Sequence, residues 1–447
     1  MPKMTTPICD FVKRYAENRT LRLHMPGHKG ISHLGPEALD ITEVAGADSL
    51  YEADGIIAQS EKNASALFGA PTYYSTEGSS QCIRAMLYLV AQCAAEQNKS
   101  PCILAARNVH KTFLTALALL GLDVEWIYPL PEESYLSCTV TPERLHTILT
   151  DMTEKPAAVY VTSPDYLGNV ADIAGLAQVC HAHGVYLLVD NAHGAYLKFL
   201  QPSAHPMDLG ADLCCDSAHK TLPVLTGGAY LHLSSKLPPV FQNQAKAALA
   251  LFGSTSPSYL ILQSLDAANA YLSEHSRQFA DLAQMADQFR CRLQQQGYAF
   301  GGNEPLKWTI LTKPYGYTGI ELATRLREAG IECEFADPDH VVLMLAATLT
   351  QTQLEQVAKA LLRIQARPSL RAAPPAVIAP DRVMSPRAAL FSPQETLPIA
   401  DCLGRVLAQA NVGCPPAVPI VCCGERIDKN ALQAFSYYGI AACTVTK

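Results

Sequence analysis

A lysine follows a histidine three times in this chain: Lys29 in "PGHKG" (26–30), Lys111 in "NVHKT" (108–112) and Lys220 in "SAHKT" (217–221). Such a lysine is either an ordinary surface cation or an amine that condenses with a carbonyl. The second role needs a setting that strips its proton, a desolvated or cation-rich pocket. Lys29 sits in a Pro/Gly-rich turn ahead of any strand pattern and reads as a loop cation. Lys111 opens a helical pattern, a place from which a lysine points to solvent. Lys220 ends "DLCCDSAHK", where an apolar strand gives way to a loop and then to the glycine-hinged "TGGAYLHL". Of the three, Lys220 is expected at the mouth of a buried sheet.

The elements that must position it are short β-rich runs alternating with helical patterns. "CILAAR" (102–107), "VEWIYPL" (124–130), "AAVYVTS" (157–163), "VYLLVD" (185–190) and "ADLCCDS" (211–217) read as strands, and "DIAGLAQVCHAHG" (172–184) as a helix closed by Gly184. Near-continuous apolar strands joined by helices indicate an α/β fold with a mostly parallel sheet covered on both faces. In such sheets ligands bind beyond the carboxyl ends of the strands. That rule selects His110, Ser163, Asp190 and Ser217.

Asp190 ends its own strand thirty residues before Lys220. If both strands belong to one sheet, a carboxylate and a lysine share one crevice. Pyridoxal phosphate needs that pairing: an amine for its aldehyde and a carboxylate to keep the pyridine nitrogen protonated. Its phosphate needs donors, and "STEGSSQCIRAM" (75–86) puts Gly78, Ser79 and Ser80 at a helix start, where backbone N–H groups and hydroxyls attract anions. Taken alone, Ser and Gly at a helix start are more often plain caps. Ser217 and His219, flanking the lysine, offer further hydrogen bonds. His110 is a candidate to stack on the ring, although a lone histidine there is also explained as a packed core residue.

Composition excludes several classes. A net charge of −7 speaks against nucleic acid, and 49% hydrophobic with 17% charged residues against disorder. No apolar run approaches the roughly eighteen residues of a membrane span, and "MPKMTTPICDFVKRY" lacks a signal-peptide core, so a cytoplasmic protein is expected. The cysteine count, fifteen, is odd, and neither Cys214–Cys215 nor Cys422–Cys423 has the two-residue gap of a zinc knuckle. These read as buried or incidental thiols, with no metal.

Together "LHMPGHKG", "YVTSPDYLGNVADI", "LLVDNAHGAYLKF", "SAHKTLPVLTGGAYLH" and "LFGSTSPSY" resemble the bacterial ornithine/lysine/arginine decarboxylase family of the aspartate-aminotransferase fold (fold type I), and the tail from "MSPRAALFSPQETL" to "CCGERI" resembles that family's C-terminal domain. The likeness runs from about residue 20 to 435, in the family's short form, which lacks an N-terminal receiver-like domain and is linked to polyamine synthesis. It implies a pyridoxal-phosphate-binding large domain with a seven-stranded sheet and smaller C-terminal α+β domains. The divisions expected are an N-terminal arm (1–60), the large domain (61–255), a helical linker with a small α/β domain (256–366), a Pro/Ala-rich linker (367–387) and the C-terminal domain (388–447).

The resemblance also implies roles. Lys220 is the Schiff-base lysine, Asp190 the partner of the pyridine nitrogen and His110 the ring-stacking group. Gly78, Ser79 and Ser80 form the phosphate loop, Ser217 and His219 lie beside the phosphate or imine, and His193 near the ring edge. Ser254 and Thr255 of "GSTSP" reach the partner subunit's phosphate in a homodimer with active sites at the interface. Glu425 contributes to the substrate channel. The activity implied is decarboxylation of arginine, lysine or ornithine, with Lys220 or His219 returning a proton to Cα. An aminotransferase, a C–C or C–S lyase, or a non-catalytic paralogue are the other readings. The chain departs from the family pattern at Glu77, where Asn is common, at Asn191, where Glu is usual, and at Gly227–Gly228. An acid at 77 is tolerable beside a phosphate only if it turns away or pairs with a cation such as Arg84.

Overall fold

The computed structural model describes residues 4–18, 20–97, 101–409 and 416–447. Its largest sheet has seven strands: β1 (Thr72–Ser75), β2 (Cys102–Ala106), β3 (Asp123–Ile127), β4 (Ala158–Thr162), β5 (Tyr186–Asp190), β6 (Leu213–Asp216) and β7 (Ala229–Leu233), in the order β1-β7-β6-β5-β4-β2-β3. β2 pairs in parallel with β3 and β4, and β5 with β6, whereas β7 runs antiparallel to both β1 and β6. The mostly parallel α/β sheet expected from the apolar runs is therefore present. β1 and β7 are the strands that pattern reading left unnamed.

The chain divides into two compact units, Met1–Asn98 with Tyr186–Ala280 and Lys99–Val185 with Asp281–Lys447. In the first, Leu187, Leu188 and Val189 of β5 and all of β6 are buried, so the strand ends rest on a dry floor. Burying each such aliphatic side chain stabilises the fold by about 1.5–3 kcal/mol relative to exposure. The helix Ser79–Glu96 starts after β1, its preceding residue Gly78 having φ +71°. Gly78 N–H donates to Gly227 O at 2.8 Å. A Cβ on Gly227 would lie 2.9 Å from Thr76 O, so the chain's return to β7 passes too close to this turn for any side chain.

In the second unit, the helix Lys111–Leu120 follows β2 and Pro142–Asp151 precedes β4; the latter has Pro at its first turn and is capped by Thr141 Oγ1 accepting from Arg144 N. The later segments add a four-stranded antiparallel sheet of β8 (Ala299–Gly301), β9 (Lys307–Leu311), β10 (Phe335–Ala336) and β11 (His340–Met344), and a two-stranded one of β12 (Gln394–Pro398) and β13 (Ala442–Thr446). No helix or strand occupies 367–381, in keeping with its Pro/Ala content. Among the described residues no helix is long and apolar enough to cross a membrane.

Candidate active site

In the first unit the site is built on the ends of β5 and β6. Asp190 is the last residue of β5; it is buried, and its Oδ1 accepts from Ala192 N at 3.2 Å and from the Cys215 thiol at 3.6 Å. β6 runs directly into Ser217 and a four-residue turn of helix, Ala218–Thr221, which carries His219 and Lys220. Lys220 Nζ lies 3.0 Å from His193 Nε2, three residues beyond Asp190. An ammonium has only donors, so with Lys220 charged His193 Nε2 is the acceptor.

His219 is tethered twice to Gly228 O, through its backbone N–H at 3.1 Å and its ring Nδ1 at 3.0 Å. A carbonyl only accepts, so Nδ1 carries a proton. Burial, and then the charge of Lys220, push the imidazole below its ordinary value against that bond. The shift favours the neutral ring, in which Nε2 carries no proton.

Ser217 Oγ donates to Ser79 Oγ at 2.7 Å, joining the end of β6 to the first turn of the Ser79–Glu96 helix, with Gly78 and Ser80 alongside. Glu77 is exposed, and its Oε1 accepts from Ser254 N at 3.3 Å. Burial pushes the Arg84 guanidinium down and the charge of Glu77 pushes it back. Ser254 and Thr255 are exposed. The structure thus brings together Lys220 with His193, Ser217 with Ser79, and Ser254 with the Glu77 turn.

His110 and Glu425 belong to the second unit. His110 caps the helix Lys111–Leu120, its Nδ1 accepting from Thr112 N at 3.2 Å. Glu425 is buried, and one oxygen, Oε2, accepts from both Arg107 Nη2 at 2.9 Å and Cys422 N at 2.6 Å. Arg107 also donates to the carbonyls of Pro419 and Ile420 and lies 5.2 Å from the Trp126 ring centre. Lys111 N–H donates to Ala417 O at 2.8 Å. The 417–425 segment therefore grips both sides of His110. Arg107 escaped sequence reasoning, although a charge closing the apolar run "CILAAR" was the signal for it.

A second cluster was also missed. Buried Asp216, at the end of β6, accepts on Oδ2 from His205 Nε2 at 3.0 Å and His232 Nε2 at 3.1 Å, and on Oδ1 from Asn191 Nδ2 at 2.7 Å. His205 Nδ1 accepts from Met207 N at 3.3 Å, which leaves its proton on Nε2 facing the carboxylate.

Residues 6–306 match the family model described as "Orn/Lys/Arg decarboxylase, major domain". The chain is 30% identical to an arginine decarboxylase of Bacillus subtilis, covering 97% of this chain and 93% of that protein. It is 29% identical to one of Halalkalibacterium halodurans, covering 96% and 92%. In fold it is similar to the Francisella novicida lysine decarboxylase LdcF, with a TM-score of 0.78 at 15% identity over 100% of this chain and 82% of that one.

Proposed function

This chain belongs to the Orn/Lys/Arg decarboxylase family, a pyridoxal-phosphate-dependent amino-acid decarboxylase acting on a basic amino acid, and we propose that its substrate is arginine. The naming of relatives aligned over nearly the whole chain supports arginine over lysine or ornithine. Formation of a polyamine precursor in the cytoplasm is the role that follows.

The residues present fit the cofactor. Lys220 offers an amine half-buried beside an acceptor, buried Asp190 a carboxylate at a strand end, and Ser79 and Ser217 paired hydroxyls at the start of an 18-residue helix. A Cβ added to Gly78 would find nothing closer than Ser80 N at 4.0 Å, so this turn leaves open space where a phosphate needs it. Exposed Glu77, engaged with Ser254 N, does not fill it.

When bound, pyridoxal phosphate supplies the electron sink for the pair released as the Cα–carboxyl bond breaks. In this reading Asp190 would hold the pyridine nitrogen, and Gly78, Ser79, Ser80 and Ser217 the phosphate. Lys220 Nζ holds the proton destined for Cα, and His193 Nε2 keeps that amine aimed. Neutral His219, with no proton on Nε2, orients the lysine turn through Gly228 and is a poor donor. In this reading buried Glu425, accepting from Arg107 and Cys422 N, braces the 107–111 turn. Residues 417–425 act as that brace. The working form is a homodimer, with the exposed Ser254 and Thr255 turned to the partner's phosphate site.

The observation that carries this reading is the Lys220 amine 3.0 Å from His193 at the mouth where Asp190 ends β5. The test incubates purified protein and cofactor with arginine, lysine and ornithine, and measures CO2 and keto acid separately. CO2 from arginine at the highest kcat/KM supports the proposal; preference for lysine or ornithine refutes the substrate, and keto acid without CO2 refutes decarboxylation.

A further inference from the structure

Asn191 stands where the family usually carries Glu, and the functional reading gives it no task. Its surroundings do. It immediately follows Asp190, its backbone N–H donates to Cys215 O at 3.0 Å, and its own carbonyl receives Gly194 N at 2.8 Å, closing the turn that holds His193. Its side chain leaves that turn and donates from Nδ2 to Asp216 Oδ1 at 2.7 Å. Asp216 is the last residue before Ser217, His219 and Lys220. The amide is thus a strut between the strand end bearing Asp190 and the strand end bearing Lys220.

The strut has only one orientation. Asp216 is an acceptor held by the His205 and His232 Nε2 protons on its other oxygen, so the amide must present its NH2. The amide's Oδ1 is left buried without a hydrogen-bond partner among the described residues. A buried acceptor left unpaired is destabilising, so the contact with Asp216 outweighs a real cost. A glutamate or aspartate in this place would set two carboxylates against each other in a dry interior, and one of them would have to keep a proton.

We propose that Asn191 is a positioning residue, whose hydrogen bond to Asp216 sets the spacing of Asp190 and Lys220 around the cofactor. The inference rests on the functional reading above. The charge environment of position 191 is defined by the elements packed on it. β6 contributes Asp216 and the Cys214 thiol, which donates to the same Oδ1 at 3.7 Å. His205 and His232 close the far side, and Cys82 of the Ser79–Glu96 helix feels both Asp216 and Asp190. The thiols are protonated and the two imidazoles donate to Asp216, so an acid introduced at 191 has Asp216 and Asp190 as its negative neighbours.

The test compares wild type with Asn191→Ala and Asn191→Asp, measuring cofactor affinity of the apoprotein, the visible absorbance of the bound cofactor and kcat between about pH 6 and 9. Misplacement of reacting groups by about 1 Å costs up to roughly a hundredfold, so Asn191→Ala is expected to lower kcat by about tenfold or more. It should also weaken cofactor binding and shift the absorbance while the thermal melt stays cooperative. Asn191→Asp is the discriminating variant. Its carboxylic acid, kept protonated by Asp216 and burial, donates the same hydrogen bond at low pH, and the strut fails as pH rises and the proton leaves. Rescue at the acid end, lost on raising the pH in a titration absent from wild type, is expected. Asn191→Ala matching wild type in affinity and absorbance overturns the inference alone, as does an Asn191→Asp profile parallel to wild type. A wild-type chain that takes up no cofactor overturns the functional reading and this one with it.

Discussion

Replacing Glu425 by alanine strips Arg107 of its counter-charge without touching any residue assigned to the cofactor. Both side chains are only 3% exposed, so the guanidinium left behind cannot turn to water. Removing one partner of a buried pair costs about 3–5 kcal/mol, most of it the penalty of an uncompensated charge. Here Arg107 keeps the carbonyls of Pro419 and Ile420 and the face of Trp126, which places the loss near the lower end, about 3 kcal/mol. In a unit of roughly 250 residues each kcal/mol moves the midpoint by about 2 °C, so calorimetry should show a drop of about 6 °C. Glutamine separates charge from geometry. The single oxygen Oε2 accepts from both Arg107 and Cys422 N, and a glutamine carbonyl in that place retains both bonds. Glutamine removes the counter-charge as alanine does and keeps only the hydrogen bonds, about 1 kcal/mol of the loss, so Glu425→Gln should fall by about 4 °C. An apolar pair, Arg107→Met with Glu425→Leu, should recover most of the alanine loss. A Glu425→Ala midpoint within 1 °C of wild type, or equal losses for alanine and glutamine, would refute the reasoning.

Lys220→Ala should abolish the cofactor's covalent absorbance and lower kcat by about 10²–10⁴ or more, checked by spectrum and CO2 release; a retained band refutes the assignment. Acid should destabilise the fold in two stages. Burial holds His232 and His219 below their ordinary 6.5, so the unfolded chain binds more protons below that pH and the melting temperature should begin to fall there. Burial pushes Asp216 up, but its charge interactions and hydrogen bonds with His205 and His232 outweigh it and hold it well below 3.8; its contribution is complete above that pH and fades below it, steepening the loss. A melting temperature flat from pH 7 to 4 contradicts the histidine assignments, and one that falls no more steeply below 3.8 contradicts that of Asp216. For the dimer, chains carrying Lys220→Ala mixed with chains carrying Ser254→Ala and Thr255→Ala should regain activity on subunit exchange, and failure of the mixture to exceed either parent argues against shared sites.

Much of this was legible locally. β5 and β6 announce themselves as apolar runs, and the rule that ligands gather beyond parallel strand ends led to Asp190 and Ser217 without any view of the fold. β7 was harder, because "AYLHL" includes the polar His232 and follows two glycines, features that read as a hinge. β1 is four residues long, too short for periodicity to register. The polar clusters were beyond reach for a different reason. Asn191 lies 25 residues from Asp216, and Arg107 lies 318 from Glu425. Pairs so distant exist only once the sheet and the C-terminal segment are assembled, and no local pattern encodes them. The departure at Asn191 was visible as an oddity; the carboxylate it answers was not.

The dry floor under the strand ends has a consequence for how this protein ages. Cys214 and Cys215 in β6 and Cys82 in the adjoining helix are raised well above the ordinary thiol value by burial first and then by Asp216 and Asp190. The thiolate is the form that oxidants and alkylating agents attack, and here it is scarcely populated. Asp190 and Asp216 thereby shield the sulfurs beside them. In a chain with fifteen cysteines, peroxide or maleimide should reach exposed Cys291 long before this floor, leaving a natural attachment point for a label remote in sequence from Lys220.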